Sequence, residues 1–143
     1  MNHQKLQNES HQTYLWFREA AERGNAYAQF NLGLMYKKGN GVERDDAAAA
    51  RWLRLAAGQG LAFAQNHLGA MYYHGRGVER CDHEAARWFR RAAEQGDASA
   101  QQNLGHMCRQ GRGMEIDPER ALSRYYRAAE QGVASAQSLL AEC

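Results

Sequence analysis

The chain has 143 residues, the size of one domain of roughly 100–200 residues, which argues against a multidomain enzyme. Leu, Ile, Val and Phe supply 20 residues, about 14%, below the roughly 20% that usually flags disorder. Against disorder stand 25 Ala, one Pro and a formal net charge of +2, which point to close-packed, Ala-rich helices.

The first ten residues hold no apolar run able to serve as a signal-peptide core, and no stretch approaches a membrane span, so a cytoplasmic protein is expected. Cys81, Cys108 and Cys143 are odd in number and match neither CxxC pairs nor a secreted framework; free thiols are expected. The 15 Arg and 3 Lys are nearly balanced by 16 acids, leaving no global field to recruit nucleic acid or an anionic membrane.

In chain order, residues 1–11 read as a polar N-terminal arm, and 12–143 as a single solenoid domain. A 36-residue shift aligns Trp16, Trp52 and Trp88, and then Gly24, Gly60, Gly96 and Gly132. It also aligns Ala28, Ala64, Ala100 and Ala136, each followed by Gln, and Leu32, Leu68, Leu104 and Leu140. Three repeats, 25–60, 61–96 and 97–132, are flanked by half units at 12–24 and 133–143. Within a repeat, Ala28, Leu32, Met35 and Tyr36 mark one face of a helix A that Gly39 and Gly41 stop. Asp45 and Asp46 offer N-cap oxygens to a helix B, whose apolar stripe runs through Ala49, Leu53, Ala56 and Ala57 to Gly60. Short helix pairs bury these stripes only by stacking, so the expected fold is an all-α solenoid of eight helices in which Trp52 and Trp88 anchor adjacent units.

The run AYAQFNLGLMYKKGNGVERD, then WLRLAAGQG, and its copies at 61–96 and 97–132 closely resemble the Sel-one-like repeat (SLR) family, relatives of the tetratricopeptide repeats. The resemblance implies a right-handed solenoid and a role as adaptor or scaffold in protein complexes, many bacterial members serving in signalling or host contact. The last copy departs from the pattern, with Arg124 for Trp and Ala141 for Gly; a terminal capping helix and a truncation both remain open.

Signals for chemistry are weak. The loops KKGNGVERDD, YHGRGVERCD and RQGRGMEIDP lack the strand and the Lys-Ser/Thr pair of a phosphate loop, so their glycines read as left-handed helix caps. His74, Cys81 and His83 match no familiar zinc spacing, and no metal or cofactor is expected. The cysteine-rich subgroup of the family has been linked to penicillin binding, which makes a hydrolase or penicillin-interacting enzyme the alternative reading. No S-x-x-K is present, and neither Cys81 with His83 nor Cys108 with His106 has an evident third group, so no catalytic residue is assigned.

Two surfaces remain. With Leu53 inward, positions 48, 51 and 55 of helix B should face outward, creating a basic convex stripe of Arg51, Arg87, Arg91, Arg120 and Arg127, partly paired with Glu84, Glu94 and Glu130. With Leu32 inward, helix A should present its other face to the hollow of the solenoid. That face reads Tyr27, Phe30, Leu34 and Lys37, then Phe63, Asn66, Ala70 and Tyr73, then Ser99, Gln102, His106 and Arg109, and finally Ser135, Ser138 and Glu142. An aromatic end grading into a polar, basic end suits an extended peptide or partner helix with apolar anchors and an acidic flank. The expected function is a non-catalytic protein-interaction module binding there. The competing reading has the N-terminal arm, or a second copy in a homodimer, covering Tyr27, Phe30 and Phe63.

Overall fold

The computed structural model describes residues 2–112 and Glu130. Residues 2–112 form α1 (Asn2–Glu22), α2 (Ala26–Lys38), α3 (Asp46–Gly58), α4 (Ala62–His74), α5 (Asp82–Glu94) and α6 (Ala98–Gln110). Helix B of the third repeat and the terminal half unit, with Arg120, Arg127, Ser135, Ser138, Glu142 and Cys143, lie outside the described residues. Each helix packs on the next in the chain, so the molecule is a solenoid in which α2, α4 and α6 are the A helices and α1, α3 and α5 the B helices. The arm and the half unit expected at 1–11 and 12–24 are one continuous helix. Ser10 stands 36 residues before Asp46, so α1 starts about two turns upstream of an ordinary helix B.

Local chemistry sets the helix ends. Asn25, Asp45 and Asp97 accept hydrogen bonds from the N–H groups of Ala28, Ala48 and Ala100 at 2.9, 3.0 and 2.8 Å. Cys81 takes the same role with a weaker acceptor, its Sγ lying 3.5 Å from the Glu84 nitrogen. At the other ends, Gly39, Gly75 and Gly111 adopt φ of 69°, 68° and 65°, the left-handed caps expected from the loop sequences. The second glycine of the first two loops meets a different constraint: a Cβ at Gly41 would strike the Ser10 carbonyl and one at Gly77 the Asp46 carbonyl, so loop and preceding helix B touch backbone to backbone.

Packing follows the repeat columns. Leu32, Leu53, Leu68, Ala64 and Ala85 are fully buried, while Gly33 and Gly69 let helix A lie against helix B. A Cβ at Gly69 would stand 2.7 Å from the Phe89 ring and 3.2 Å from the Ala85 carbonyl oxygen. The buried Gln29, Gln65 and Gln101 each donate to a backbone carbonyl eight residues earlier, those of Ala21, Ala57 and Ala93, at 3.2, 3.1 and 3.1 Å. Gln59 and Gln95 in turn donate to the side-chain oxygens of Gln29 and Gln65, at 2.8 and 2.9 Å. Loop arginines complete the ties between repeats: Arg76 reaches Asp46 at 3.6 Å, and Arg112 grips Asp82 with two bonds of 2.6 and 3.0 Å. At the N-terminal end the Tyr14 and Tyr36 hydroxyls bond at 2.8 Å, and burial together with that bond pushes the Tyr36 hydroxyl up to about 12.

Two expectations need correction. Position 48 does not face outward: Ala48 is 4% exposed, because its N–H is held by the Asp45 cap and its methyl turns into the stack, whereas Arg51 and Leu55 are exposed. The tryptophans are not equivalent either. Trp88 is 7% exposed within the core made by α3 and α4, Trp52 is half-buried against α1 and α2, and Trp16 is 74% exposed. Each tryptophan covers the unit before it, and among the described residues no unit precedes Trp16.

Trp88→Ala should therefore cost about 3–5 kcal/mol in a chemical denaturation curve, and Trp16→Ala less than about 0.5 kcal/mol. Gly69→Ala, which forces the Phe89 ring out of place, should cost about 1–3 kcal/mol with helical circular dichroism retained at room temperature.

Candidate interaction surface

The face of the A helices turned away from Leu32 and its column-mates is continuous from one repeat to the next through side chains. Phe30 of α2 meets two rings of α4, with centroids 6.3 Å from Phe63 and 5.4 Å from His67. Asn103 of α6 donates to Asn66 of α4 at 3.0 Å, and the Tyr73 hydroxyl donates to Gln110 at 2.9 Å. The Arg112 guanidinium lies 4.0 Å from the Tyr73 ring centroid while holding Asp82, so one arginine joins a face aromatic to the inter-repeat tie.

The predicted residues separate by exposure. Tyr27 and Phe63, column-mates one repeat apart, are 65% and 60% exposed, and Ser99 continues their column as an exposed polar residue. Phe30 and Asn66 are half-buried links between helices, and Gln102 is half-buried as well. Leu34 does not join the aromatic ladder: it lines a depression with Phe17, Asn31 and Lys38, on the side of α2 that faces α1. Tyr73 and His106 border a cavity of about 230 Å³ between α4 and α6, together with Ala70, His74, Phe89, Asn103 and Gln110. His67 was missed because it belongs to the column of Asn31 and Asn103, one residue off the face calculated from Leu32; its pairing with Phe30 depends on how successive A helices are offset. The polar arm leaves the aromatic pair uncovered, and His11 instead bonds the Gly41 carbonyl at 3.0 Å.

Burial shapes the charges here. Lys37 is driven below its ordinary pKa by burial first, then by Arg76 and Lys38. His67 is driven below its own by burial, then by Lys37 and Lys38, and His106 by burial, then by Arg109. The basic character of the face thus rests on its lysine and arginines, with neutral imidazoles between them at neutral pH. On helix B, Arg87 pairs with Glu84 at 3.3 Å, and the Arg87 and Arg91 guanidiniums lie 5.8 and 4.8 Å from the Trp88 ring centroid, so these two stripe residues serve packing.

The two cysteines among the described residues have structural roles, Cys81 as a helix cap and Cys108 in the core. Among the described residues, no three His, Cys, Asp or Glu side chains converge on a point that could hold a metal ion, and no helix is long and apolar enough to cross a membrane.

The unfolded imidazole takes up its proton near pH 6.5, before the buried His67 does, so stability is present above that pH and is lost as pH falls through the lower folded value. In an NMR titration His67 should protonate below the ordinary histidine value of about 6.5. The melting temperature should fall on acidification from neutrality, less steeply in His67→Asn, which carries the side chain of its column-mates.

A family model for the Sel1 repeat matches residues 7–25, 26–61, 62–97 and 98–133. A Sel1 repeat protein from Oxalobacter formigenes is 42% identical over 93% of this chain and 55% of its own, with a TM-score of 0.87. The protective antigen c5321 of uropathogenic Escherichia coli, which displays an SLR fold, is 39% identical over 92% of this chain and 28% of its own, with a TM-score of 0.89. The chain therefore spans about half or less of the length of these two relatives. Cysteine-rich protein B of Helicobacter pylori, 18% identical over 94% of this chain and 97% of its own, shares the fold at a TM-score of 0.73. No curated protein is significantly similar to the chain. With repeat columns that run from α1 to α6, and a family match over more than half its length, the chain belongs to the Sel1 repeat family.

Proposed function

We propose that the chain is a non-catalytic docking module whose working surface is the concave helix-A face of α2, α4 and α6, and that its partner is a protein segment with apolar anchors and an acidic flank. Sel1 repeat proteins are generally protein-interaction modules, which supports the class of function. The observation that carries the surface assignment is the pair Tyr27 and Phe63: two large aromatics in one column, exposed by more than half, on rigid neighbouring helices. Aromatic side chains anchored on helices lose little conformational freedom on binding and commonly dominate interface energy. Lys37 and Arg109 share a column of the same face and favour an acidic flank. Ser99, Gln102 and His106 supply hydrogen-bonding groups at the polar end.

Peptides selected from a random displayed library by the wild-type protein should carry aromatic or aliphatic anchors beside acidic residues. The Tyr27→Ala, Phe63→Ala double variant should keep its helical content and bind them at least about 2 kcal/mol more weakly. Charge reversal at Arg109 should mainly slow association and flatten its salt dependence. Equal binding by the double variant, with binding abolished by reversal of Arg51 and Arg87, would move the working surface to the outer face of helix B.

A further inference from the structure

Two corners of the stack are built from the same columns and differ in charge. Near the C-terminal end of α4 the Tyr73 ring faces the Arg112 guanidinium at 4.0 Å, and Arg112 grips Asp82 with bonds of 2.6 and 3.0 Å. One repeat earlier the column-mates of Tyr73, Asp82 and Arg112 are Lys37, Asp46 and Arg76, so an ammonium stands where the ring would be. The contacts change with it. Arg76 reaches Asp46 only at 3.6 Å, longer than a hydrogen bond, and its side chain is 41% exposed against 23% for Arg112. Asp46 instead bonds Arg44, at 3.1 and 3.4 Å. Lys37 is half-buried and has no hydrogen bond or ion pair among the described residues. After burial, the strongest influences on it are the like charges of Arg76 and Lys38, and Asp46 opposes them least. A ring attracts a guanidinium, whereas an ammonium repels one, and a half-buried pair of cations is balanced only by an anion between them.

The same two helices carry the exposed aromatics at their other ends. Tyr27 and Phe63 stand in the first turns of α2 and α4, Lys37 in the last turn of α2, and Arg76 just past the end of α4. Between these ends Phe30 touches Phe63 and His67 across the seam. At the seam between α4 and α6 the corresponding corner is occupied by its own contacts, Tyr73 donating to Gln110 and carrying Arg112. We propose that the seam between α2 and α4 seats a side-chain carboxylate of the partner polypeptide between Lys37 and Arg76, on a segment whose apolar anchors rest on Tyr27 and Phe63. This rests on the docking function proposed above and narrows it: the Lys37 and Arg76 pair holds the acid, and Arg109 steers from the rim. Both cations donate, and a carboxylate has an oxygen for each. Position 27 lies about 15 Å from position 37 along the axis of α2. An extended peptide covers that distance in about five residues, so the spacing between anchor and acid is fixed by the helix.

Peptides selected from a random displayed library by the wild-type protein test it. They should carry Asp or Glu about four to six residues from an aromatic or aliphatic anchor, and exchanging that acid for its amide should weaken binding about tenfold. Lys37→Tyr copies the next repeat, so it should keep the helical circular dichroism and bind the acid and amide peptides alike. Selection by that variant should return peptides with the anchors and without the acid. Lys37→Glu should lose the original peptide and bind one in which Lys replaces the acid, while Arg109→Gln should keep the acid preference. A library that yields no binder, or binders without anchors, overturns the docking function and this proposal with it. Anchored peptides whose acid preference survives Lys37→Tyr, vanishes in Arg109→Gln or follows no fixed spacing overturn the carboxylate seat alone, as does a charge swap that restores nothing.

Discussion

Each corner of the solenoid turns on a buried amide. The carbonyls of Ala21, Ala57 and Ala93, at the helix B ends, each accept a backbone N–H, from Gly24, Gly60 and Gly96, and the chain then reverses tightly into the next helix A, whose buried glutamine amide needs an acceptor there. Gln29, Gln65 and Gln101 answer that demand by donating to the carbonyl eight residues back, and the bonds from Gln59 and Gln95 satisfy the glutamine oxygens of the first two. An unpaired amide at such a site would cost on the order of 1–3 kcal/mol, so these bonds tie each helix B to the next helix A inside an otherwise apolar core.

With the corners set, the A helices lie side by side and their outer faces share side chains. This sorts chemically similar residues into different roles. Phe30 is partly consumed by its contacts with Phe63 and His67, and Tyr73 by Gln110 and Arg112, while Tyr27 and Phe63 keep most of their surface. A rigid scaffold that spends some aromatics on cohesion and leaves others exposed at a fixed spacing has the makings of a docking surface. Its charge pattern follows from the same packing: imidazoles between lysine and arginines lose their protons, and Arg112, which bridges repeats through Asp82, doubles as a support for Tyr73.

Repeat architecture was readable from the columns alone, because a 36-residue period, glycine helix stops and Asp or Asn caps act within a turn or two of chain. Helix identity, the left-handed caps, the buried leucines and the family all follow from that local chemistry. So did the assignment of Tyr27 and Phe63 to an exposed face of helix A. The cap function of Cys81 was legible in the same way, since a weak acceptor stands in the column of Asp45.

The differences among column-mates were decided by tertiary structure. Trp16, Trp52 and Trp88 are identical in sequence register and differ in exposure because a solenoid residue is buried by its neighbouring repeat, and the first unit has no described neighbour on that side. Leu34 left the aromatic ladder and His67 joined it because the offset between successive A helices, set by long-range packing, determines which column meets which. Periodicity identifies the face a residue occupies on its own helix; the partner that face meets is chosen by contacts between residues roughly 30 or more apart in the chain, a coupling that a helical wheel does not contain.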